Sequence, residues 1–251
     1  FLETVNSLTF THSLGSEDIV YGLGETMRGI NKRGHRYISF NYDDPYHKDE
    51  MPSMYGSHNF IVVDSETVFG AFFDTPAKVV FDVDSKKNGQ LTVTCTSPDL
   101  RLYLVEGEGP YDVVRQFLAI IGRSFLPPLW AFGYGQSRWG YKTARDIDRV
   151  ARKHRDAGIP LDYICMDIDY MEQYRDFTVN RRRFPNFPDF VARHRKEGLH
   201  LVPIVDAGIK IEPGDPVFEE GVKEGHFCKN REDREFQAEV WPGMTHFPDF
   251  L

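Results

Sequence analysis

Cysteine is scarce in this 251-residue chain. Its three cysteines, Cys95, Cys165 and Cys228, are odd in number and far apart, and no two of them form a Cys-x-x-Cys pair. A disulfide framework and a zinc site built on paired cysteines are therefore excluded as organising features. The pattern is typical of reduced, structural thiols, and we expect a cytoplasmic location.

An excess of positive charge and long hydrophobic runs are also missing. Thirty Lys and Arg residues stand against 38 Asp and Glu residues, which gives a net charge of −8. Such a chain is a poor partner for nucleic acid, because binding to the phosphate backbone is driven by cationic side chains. The apolar runs are far shorter than the ~18 residues that a membrane-spanning helix needs. We therefore expect neither a nucleic-acid nor a membrane partner.

Motifs of several well-known enzyme classes are absent or incomplete. The chain contains no His-Glu-x-x-His zinc motif and no Gly-x-Ser-x-Gly nucleophile elbow. Gly22-Leu23-Gly24-Glu25 supplies two glycines of a dinucleotide fingerprint, but Met27 stands where the third glycine is required. We predict no cofactor.

The first part of the chain has the pattern of an antiparallel β-sandwich. Short segments rich in Val, Phe, Thr and Tyr recur between turn signals, and Asn88-Gly89 marks a hairpin between two of them. A helical stripe of apolar residues follows between Gly109 and Gly122. The predicted strands are Leu8–His12, Tyr37–Phe40, Phe60–Val63, Val68–Phe73, Lys78–Val83 and Leu91–Cys95.

After Pro127-Pro128 the pattern changes to alternating strands and helices. Thr143 has the chemistry of a helix N-cap, with Asp146 as its capping-box partner. Short loops between such elements predict a parallel sheet. An open doubly wound sheet and a (β/α)8 barrel begin in this same way, and a closed barrel takes eight strands. The predicted strands are Leu129–Gly135, Leu161–Met166 and Leu199–Val205, with helices from near Thr143 to Gly158 and from Pro188 to Glu197.

These patterns place the domain limits. We expect an N-terminal β-sandwich over residues 1–109 with its start missing, a connecting helix over residues 110–126, and the first part of a parallel strand-and-helix domain over residues 127–251. The chain opens at Phe1 without a methionine and closes at Leu251 without a tail. We therefore interpret it as a truncated piece of a longer protein.

Polar side chains cluster where the predicted parallel strands end. Asp167 and Asp169 follow the second strand, Asp206 follows the third, and Arg138 follows the first. The carboxyl edge of such strands is where α/β proteins bind ligands. Any one of these aspartates is also explained as a loop cap or as a partner of Arg138 or Arg175, but the group together favours a ligand site. The Asp-x-Asp spacing permits a divalent cation, yet no third hard ligand is evident, and we predict no metal site.

A series of short motifs resembles the glycoside hydrolase family 31 α-glucosidases, in order and spacing, along essentially the whole chain. The motifs are Tyr21-Gly22-Leu23-Gly24-Glu25, Leu126-Pro127-Pro128-x-Trp130-Ala131-x-Gly133, Ser137-Arg138-Trp139-Gly140-Tyr141, Pro160-Leu161-Asp162, Asp167-Ile168-Asp169-Tyr170-Met171, Asp176-Phe177-Thr178 and Trp241-Pro242-Gly243. The resemblance implies a β-sandwich packed on a (β/α)8 catalytic barrel, with residues 127–251 as the first part of that barrel. It also implies exo-hydrolysis of α-linked glucose with retention, in which one carboxylate is the nucleophile and another the acid/base.

The resemblance assigns substrate-binding roles to six residues. Asp167 aligns with the aspartate that binds hydroxyls of the terminal glucose. Asp43, with Asp44 beside it as the alternative, aligns with a carboxylate on a sandwich loop that closes the pocket. The resemblance also places Ile168, Ile204 and Trp241 in the wall of the pocket and Trp139 at its entrance.

The catalytic pair is expected beyond Leu251, because the chain lacks the family's Trp-x-Asp-Met-Asn-Glu nucleophile motif. We therefore expect the 251 residues alone to be inactive. The expected partners are α-glucosidic di- and oligosaccharides and the rest of the same barrel, and a homo-oligomer stays open. Two alternatives remain: a non-catalytic carbohydrate-binding fragment, or a same-family enzyme of other specificity, such as an α-xylosidase, a transglucosidase or a glucan lyase.

Overall fold

The computed structural model describes residues 7–250. The chain divides between Ser124 and Phe125 into two compact units. Within the described residues, no helix has both the length and the apolar character needed to cross a membrane.

Eight strands of the first unit form two four-stranded antiparallel sheets. One sheet has the order β1-β7-β6-β3 and the other the order β2-β4-β5-β8. Both sheets contribute to one hydrophobic core, in which the rings of Phe73 and Phe81 meet edge to face at 5.6 Å. The prediction of antiparallel sheets in this part is confirmed. The strands are β1 Leu8–Ser13, β2 Ile19–Gly22, β3 His35–Ser39, β4 Phe60–Asp64, β5 Val68–Asp74, β6 Val79–Val83, β7 Gln90–Cys95 and β8 Arg101–Gly107.

Strands β2 and β8 are not predicted by the sequence pattern. Strand β2 ends at Gly22, in a segment whose two glycines favour a turn, and the burial of β8 does not alternate regularly along the strand. The hairpin predicted at Asn88-Gly89 is present between β6 and β7. Its loop is closed by Asp84, whose carboxylate accepts the Gly89 N–H at 2.7 Å and pairs with Arg33 at 2.9 Å.

Helix α1, Pro110–Ile121, is the helix predicted between Gly109 and Gly122. It packs on β4, β5 and β8 of the first unit, where Val113 is fully buried. The ring of Phe117 stacks on that of Phe60, with centroids 3.8 Å apart. The predicted domain limits at residues 109/110 and 126/127 stay predictions.

The second unit begins with three parallel strands, β9 Gly135–Ser137, β10 Tyr163–Met166 and β11 His200–Pro203. Strand β10 lies between the other two. Helices α2, Ala144–Asp156, and α3, Phe187–Lys196, connect the strands and supply residues to a shared core. The predicted cap of α2 is confirmed, because the side chains of Thr143 and Asp146 each accept a hydrogen bond from the other's backbone N–H.

The predicted strand Leu129–Gly135 is wrong over most of its length. Leu129–Phe132 forms a 3₁₀ turn, and Leu129 is 87% exposed. The apolar composition of this segment predicts a strand, but a strand also needs a neighbouring strand to pair with. Within Leu129–Gly135, strand β10 pairs only with Gly135, which lies opposite Tyr163. The Tyr163 ring lies so close to Gly135 that any side chain at this position would collide with it.

A small antiparallel sheet follows β11, and the sequence pattern does not predict it. Its strands are β12 Ile209–Lys210, β13 Gln237–Val240 and β14 Gly243–His246, in the order β12-β14-β13. These short strands contain few of the Val, Phe, Thr and Tyr residues that mark the strands of the first unit. Helix α4, Pro216–Glu224, lies between β12 and β13 and is capped by the Asp215 carboxylate.

Candidate substrate site

Asp167 is the first residue after the central parallel strand β10. Its backbone is extended, and its Oδ1 accepts the N–H of Ile168 at 2.7 Å, which starts the 3₁₀ turn Ile168–Tyr170. The side chain is partly exposed. Among the described residues, the other carboxylate oxygen accepts no hydrogen bond, so it is available to a ligand.

Two further carboxyl groups, those of Asp176 and Asp206, belong to the loops that follow β10 and β11. Asp206 follows β11, and its backbone N–H donates to Oδ1 of Asp176 at 2.9 Å. Burial, and then the negative charge of Asp167, raise the pKa of Asp206. Burial also raises the pKa of Asp176, and the charge of Asp206 adds to this, although the hydrogen bond from the Asp206 amide opposes it. The predicted gathering of polar groups at the strand ends therefore holds for Asp167 and Asp206.

The carboxyls of Asp176 and Asp206 are not fully satisfied by the described residues. Oδ2 of each is buried and has no hydrogen-bond partner there. Neither arginine considered as a partner of the strand-end aspartates contacts them: Arg138 donates to the Trp139 carbonyl, and Arg175 pairs with Asp215 at 3.2 Å. Buried polar atoms are usually paired in folded proteins, so these two oxygens are acceptors that the described residues leave without a donor.

Asp169 does not act together with Asp167. It is buried, and its Oδ1 and its carbonyl oxygen face Nη1 of Arg183 at 3.5 and 3.4 Å. The 3₁₀ turn separates the two side chains, which an extended strand would place on one side. Within residues 7–250 no group of three or more His, Cys, Asp or Glu side chains could hold a metal ion.

The two isoleucines assigned to the pocket wall differ in exposure. Ile168 is buried in the core of the second unit, whereas Ile204, directly after β11, is 40% exposed. The N–H of Ile204 donates to the carbonyl of Met166 at 2.9 Å, which extends the β10–β11 ladder by one residue. Ile204 therefore presents more surface to a ligand than Ile168 does.

Trp139 and Trp241 both expose their rings. Trp139 follows β9, is 60% exposed, and has the Lys142 ammonium 5.4 Å from its ring centroid. Trp241 and Pro242 form the two-residue turn between β13 and β14, and Trp241 is 70% exposed. An exposed indole can stack on a flat apolar face of a ligand, and neither Trp has a core-packing role in this unit.

Asp43 lies in the first unit, whereas the other five predicted residues lie in the second. The neighbouring Asp44 is used by its own loop: its Oδ1 accepts the Tyr46 N–H at 2.8 Å, and its carbonyl accepts the Tyr55 hydroxyl at 3.0 Å. Asp43 is exposed, and its carboxylate makes no hydrogen bond to the described residues. Asp44 therefore has one carboxylate oxygen engaged, whereas Asp43 has neither engaged by the described residues.

Sequence reasoning assigned no role to Asp176 or Tyr170, although both lie in motifs that it singled out. Tyr170 is buried, and its hydroxyl donates a hydrogen bond to the Ile204 carbonyl at 2.8 Å. A buried aspartate inside a short polar loop is not visible in a hydrophobicity pattern. The motif Asp176-Phe177-Thr178 was the only available signal.

Two family models match the chain over most of its length. The glycosyl hydrolases family 31 TIM-barrel domain matches residues 124–251, and the glycosyl hydrolase 31 N-terminal galactose mutarotase-like domain matches residues 3–82. The chain belongs to glycoside hydrolase family 31. The resemblance seen in the motifs is thereby confirmed, and the three parallel strands are the start of a family 31 TIM-barrel domain.

Two of the curated relatives that the chain matches are named alpha-glucosidase. Alpha-glucosidase 2 of Bacillus thermoamyloliquefaciens is 38% identical over 236 residues, which cover 93% of this chain and 30% of that protein. The alpha-glucosidase of Saccharolobus solfataricus is 31% identical over 247 residues, which cover 98% of this chain and 35% of that protein. The chain spans about a third of the length of these relatives.

Solved family 31 structures share the fold. A dextranase of Flavobacterium johnsoniae, solved with isomaltotriose, superposes with a TM-score of 0.87 at 24% identity, covering 100% of this chain and 31% of that chain. A cycloalternan-degrading enzyme of Trueperella pyogenes, solved with cycloalternan, gives a TM-score of 0.80 at 18% identity, covering 97% of this chain and 38% of that chain. The expectation of a homo-oligomer finds no support among these proteins.

Proposed function

We propose that this chain is the N-terminal part, up to the early catalytic barrel, of a retaining exo-acting α-glucosidase. Its substrates are di- and oligosaccharides with a terminal α-linked glucose. The observation that carries the proposal is Asp167, which emerges from the buried central strand of a family 31 barrel domain with one carboxylate oxygen available. The curated relatives named alpha-glucosidase support the choice of substrate class.

In this proposal Asp167 binds two hydroxyls at the non-reducing end of the terminal glucose. A carboxylate accepts such bonds strongly, because charge-assisted hydrogen bonds are about twice as strong as neutral ones. A glucose held at its far end leaves no room for a further sugar beyond it, which makes cleavage exo-acting. Ile168, Ile204 and Trp241 form the pocket wall, and Trp139 shapes the entrance. Asp43 supplies a further carboxylate from the sandwich loop.

The nucleophile and the acid/base lie beyond Leu251 in this proposal. The retaining mechanism uses two carboxyl groups roughly 5 Å apart. One attacks the anomeric carbon while the other protonates the leaving oxygen, and a water molecule then hydrolyses the glycosyl-enzyme. The remaining strands would close the barrel that β9, β10 and β11 begin, since a closed barrel takes eight. The domain limits and the cytoplasmic location remain proposals.

Product stereochemistry and intact mass of the source protein test the proposal. The complete protein should release glucose from maltose with the α-anomer appearing first in a proton NMR time course, and it should hydrolyse an aryl α-glucoside faster than an aryl α-xyloside. A preference for the xyloside would assign a different specificity within the family. An intact mass of 29.0 kDa, together with sugar binding and no hydrolysis, would favour a non-catalytic carbohydrate-binding chain.

A further inference from the structure

Two hydrogen bonds join the segment after β10 to the segment after β11. The Tyr170 hydroxyl donates to the Ile204 carbonyl at 2.8 Å, and the Asp206 N–H donates to Oδ1 of Asp176 at 2.9 Å. The first segment begins at Asp167 and the second at Ile204. Both of these residues are proposed to contact the sugar, so the two hydrogen bonds link one sugar-binding segment to the other.

The side chains that make these bonds are buried and well held. Tyr170 is 5% exposed and belongs to the core of the second unit, where its ring stacks with that of Phe187 at 6.4 Å. Asp176 is 6% exposed. Neither side chain has enough exposed surface to bind a sugar itself, so any effect on the site acts through Ile204 and Asp206.

The loop that carries Asp176 has an unfavourable backbone. Gln173, Tyr174 and Phe177 all have left-handed conformations, with φ of 52°, 60° and 60°. Residues other than glycine rarely adopt this conformation, and they keep it only where the surroundings hold them. The Asn180 N–H bonds the Tyr170 carbonyl at 2.8 Å, which ties the end of this loop back to its start. The loop is thus built to hold Asp176 in one place.

We infer that Tyr170 and Asp176 are positioning residues, which hold the Ile204–Asp206 segment at the distance from Asp167 that the sugar requires. This inference rests on the proposed function, because the residues that it positions are those proposed to contact the terminal glucose. Asp176 acts here as a hydrogen-bond acceptor, and its negative charge is not needed. Asparagine at this position retains the acceptor, whereas alanine removes it.

Four variants of the complete protein test the inference. Tyr170→Phe removes only the hydroxyl and should lower kcat/KM about three- to tenfold, as expected for a net loss of one hydrogen bond. Asp176→Ala should lower kcat/KM by about tenfold or more, and Asp176→Asn should remain within about threefold of wild type. Thr143→Ala is the control, since it destabilises α2 away from these contacts and should leave kcat/KM unchanged. The substrate is whichever aryl α-glycoside, glucoside or xyloside, the wild type hydrolyses faster.

Amide hydrogen exchange gives a second readout that does not depend on activity. The peptide containing residues 204–206 should exchange faster in Asp176→Ala than in wild type or Asp176→Asn. Equal loss of kcat/KM in Asp176→Asn and Asp176→Ala would overturn the inference, because the acceptor alone would not suffice. Values of kcat/KM for Tyr170→Phe within error of wild type would overturn it even if Asp176→Ala does not fold. A wild-type protein that hydrolyses neither glycoside would overturn the proposed function first, and the positioning role with it.

Discussion

At the scale of single residues, the negative charge of Asp167 should matter more for binding sugar than for folding. Asp167→Asn keeps the shape but removes the charge, and each charged hydrogen bond contributes about 1.5–3 kcal/mol. Partial loss of two such bonds should lower kcat/KM by roughly 10²-fold. The thermal midpoint should not fall, because Asn in this crowded acidic environment also removes repulsion with Asp206.

The measurement is kcat/KM of the complete protein on maltose and isomaltose, beside a thermal melt. The wild type and the Asp18→Asn variant serve as reference and control, since the Asp18 carboxylate accepts the Gly15 N–H in a turn and has no proposed role in the site. If Asp167→Asn hydrolysed both sugars within about threefold of wild type, well under one decade, Asp167 would have only a structural role.

Trp139 tests whether an exposed indole selects the substrate. Its ring is 60% exposed and contacts Lys142 rather than a hydrophobic core. Trp139→Tyr should therefore change the ratio of kcat/KM on α-1,4- and α-1,6-linked disaccharides, while the thermal midpoint changes little. Equal losses on both linkages, together with a midpoint several degrees lower, would instead indicate that the side chain packs against the rest of the protein.

Asp176 should make stability depend on pH. Its pKa is raised in the folded state, chiefly by burial. The folded state therefore binds this proton more tightly than the unfolded chain does. That contribution is fully present below the unfolded pKa of about 4 and is lost as pH rises through the folded value. Asp176 therefore makes the protein less stable at neutral pH than at acidic pH, and Asp176→Asn should raise the thermal midpoint at neutral pH.

The difference in thermal midpoint between Asp176→Asn and wild type should shrink as the pH is lowered toward about 4. At that pH the Asp176 side chain is protonated and therefore neutral, as asparagine is. Thermal melts of both proteins between neutral and acidic pH measure this difference. An advantage of the same size at every pH would show that repacking, and not the ionisation of Asp176, is the cause.

At the scale of secondary structure, helix α2 depends on its capping box. Thr143 and Asp146 satisfy each other's backbone N–H groups, which have no partner inside the helix. Thr143→Ala should lower the free energy of unfolding by about 1 kcal/mol, whereas Thr143→Ser retains the hydroxyl and should lose far less. Chemical denaturation of the complete protein measures both. Indistinguishable midpoints for the two variants would show that the cap does not limit the stability of this unit.

At the scale of the whole molecule, the parallel sheet leaves two edges open among the described residues. Strands β9 and β11 each pair only with β10. Large apolar side chains near the start of the second unit are also exposed, among them Phe125 at 83% and Leu126 at 80%. Open strand edges and exposed apolar surface favour aggregation. The 251-residue chain expressed alone should therefore self-associate. It should also hydrolyse no glycoside, because the catalytic carboxylates are proposed to lie beyond Leu251.

Light scattering after size exclusion and an aryl α-glucoside assay test this expectation, with the complete protein as the positive control. A monomeric 29.0 kDa product with glycosidase activity would contradict it. Such a result would also show that the catalytic carboxylates lie within these residues.

Features that neighbouring residues control were predictable from the amino-acid pattern. The antiparallel strand segments, the α2 cap at Thr143 and the family motifs all depend on short-range pattern, and so they could be predicted. Two features depend on the three-dimensional packing: Leu129–Phe132 forms a turn instead of pairing, and Asp176 accepts a hydrogen bond from the amide of Asp206, thirty residues away. Hydrogen-bond partners and burial depend on residues distant in the chain, and a local pattern does not specify which distant residue will be the partner.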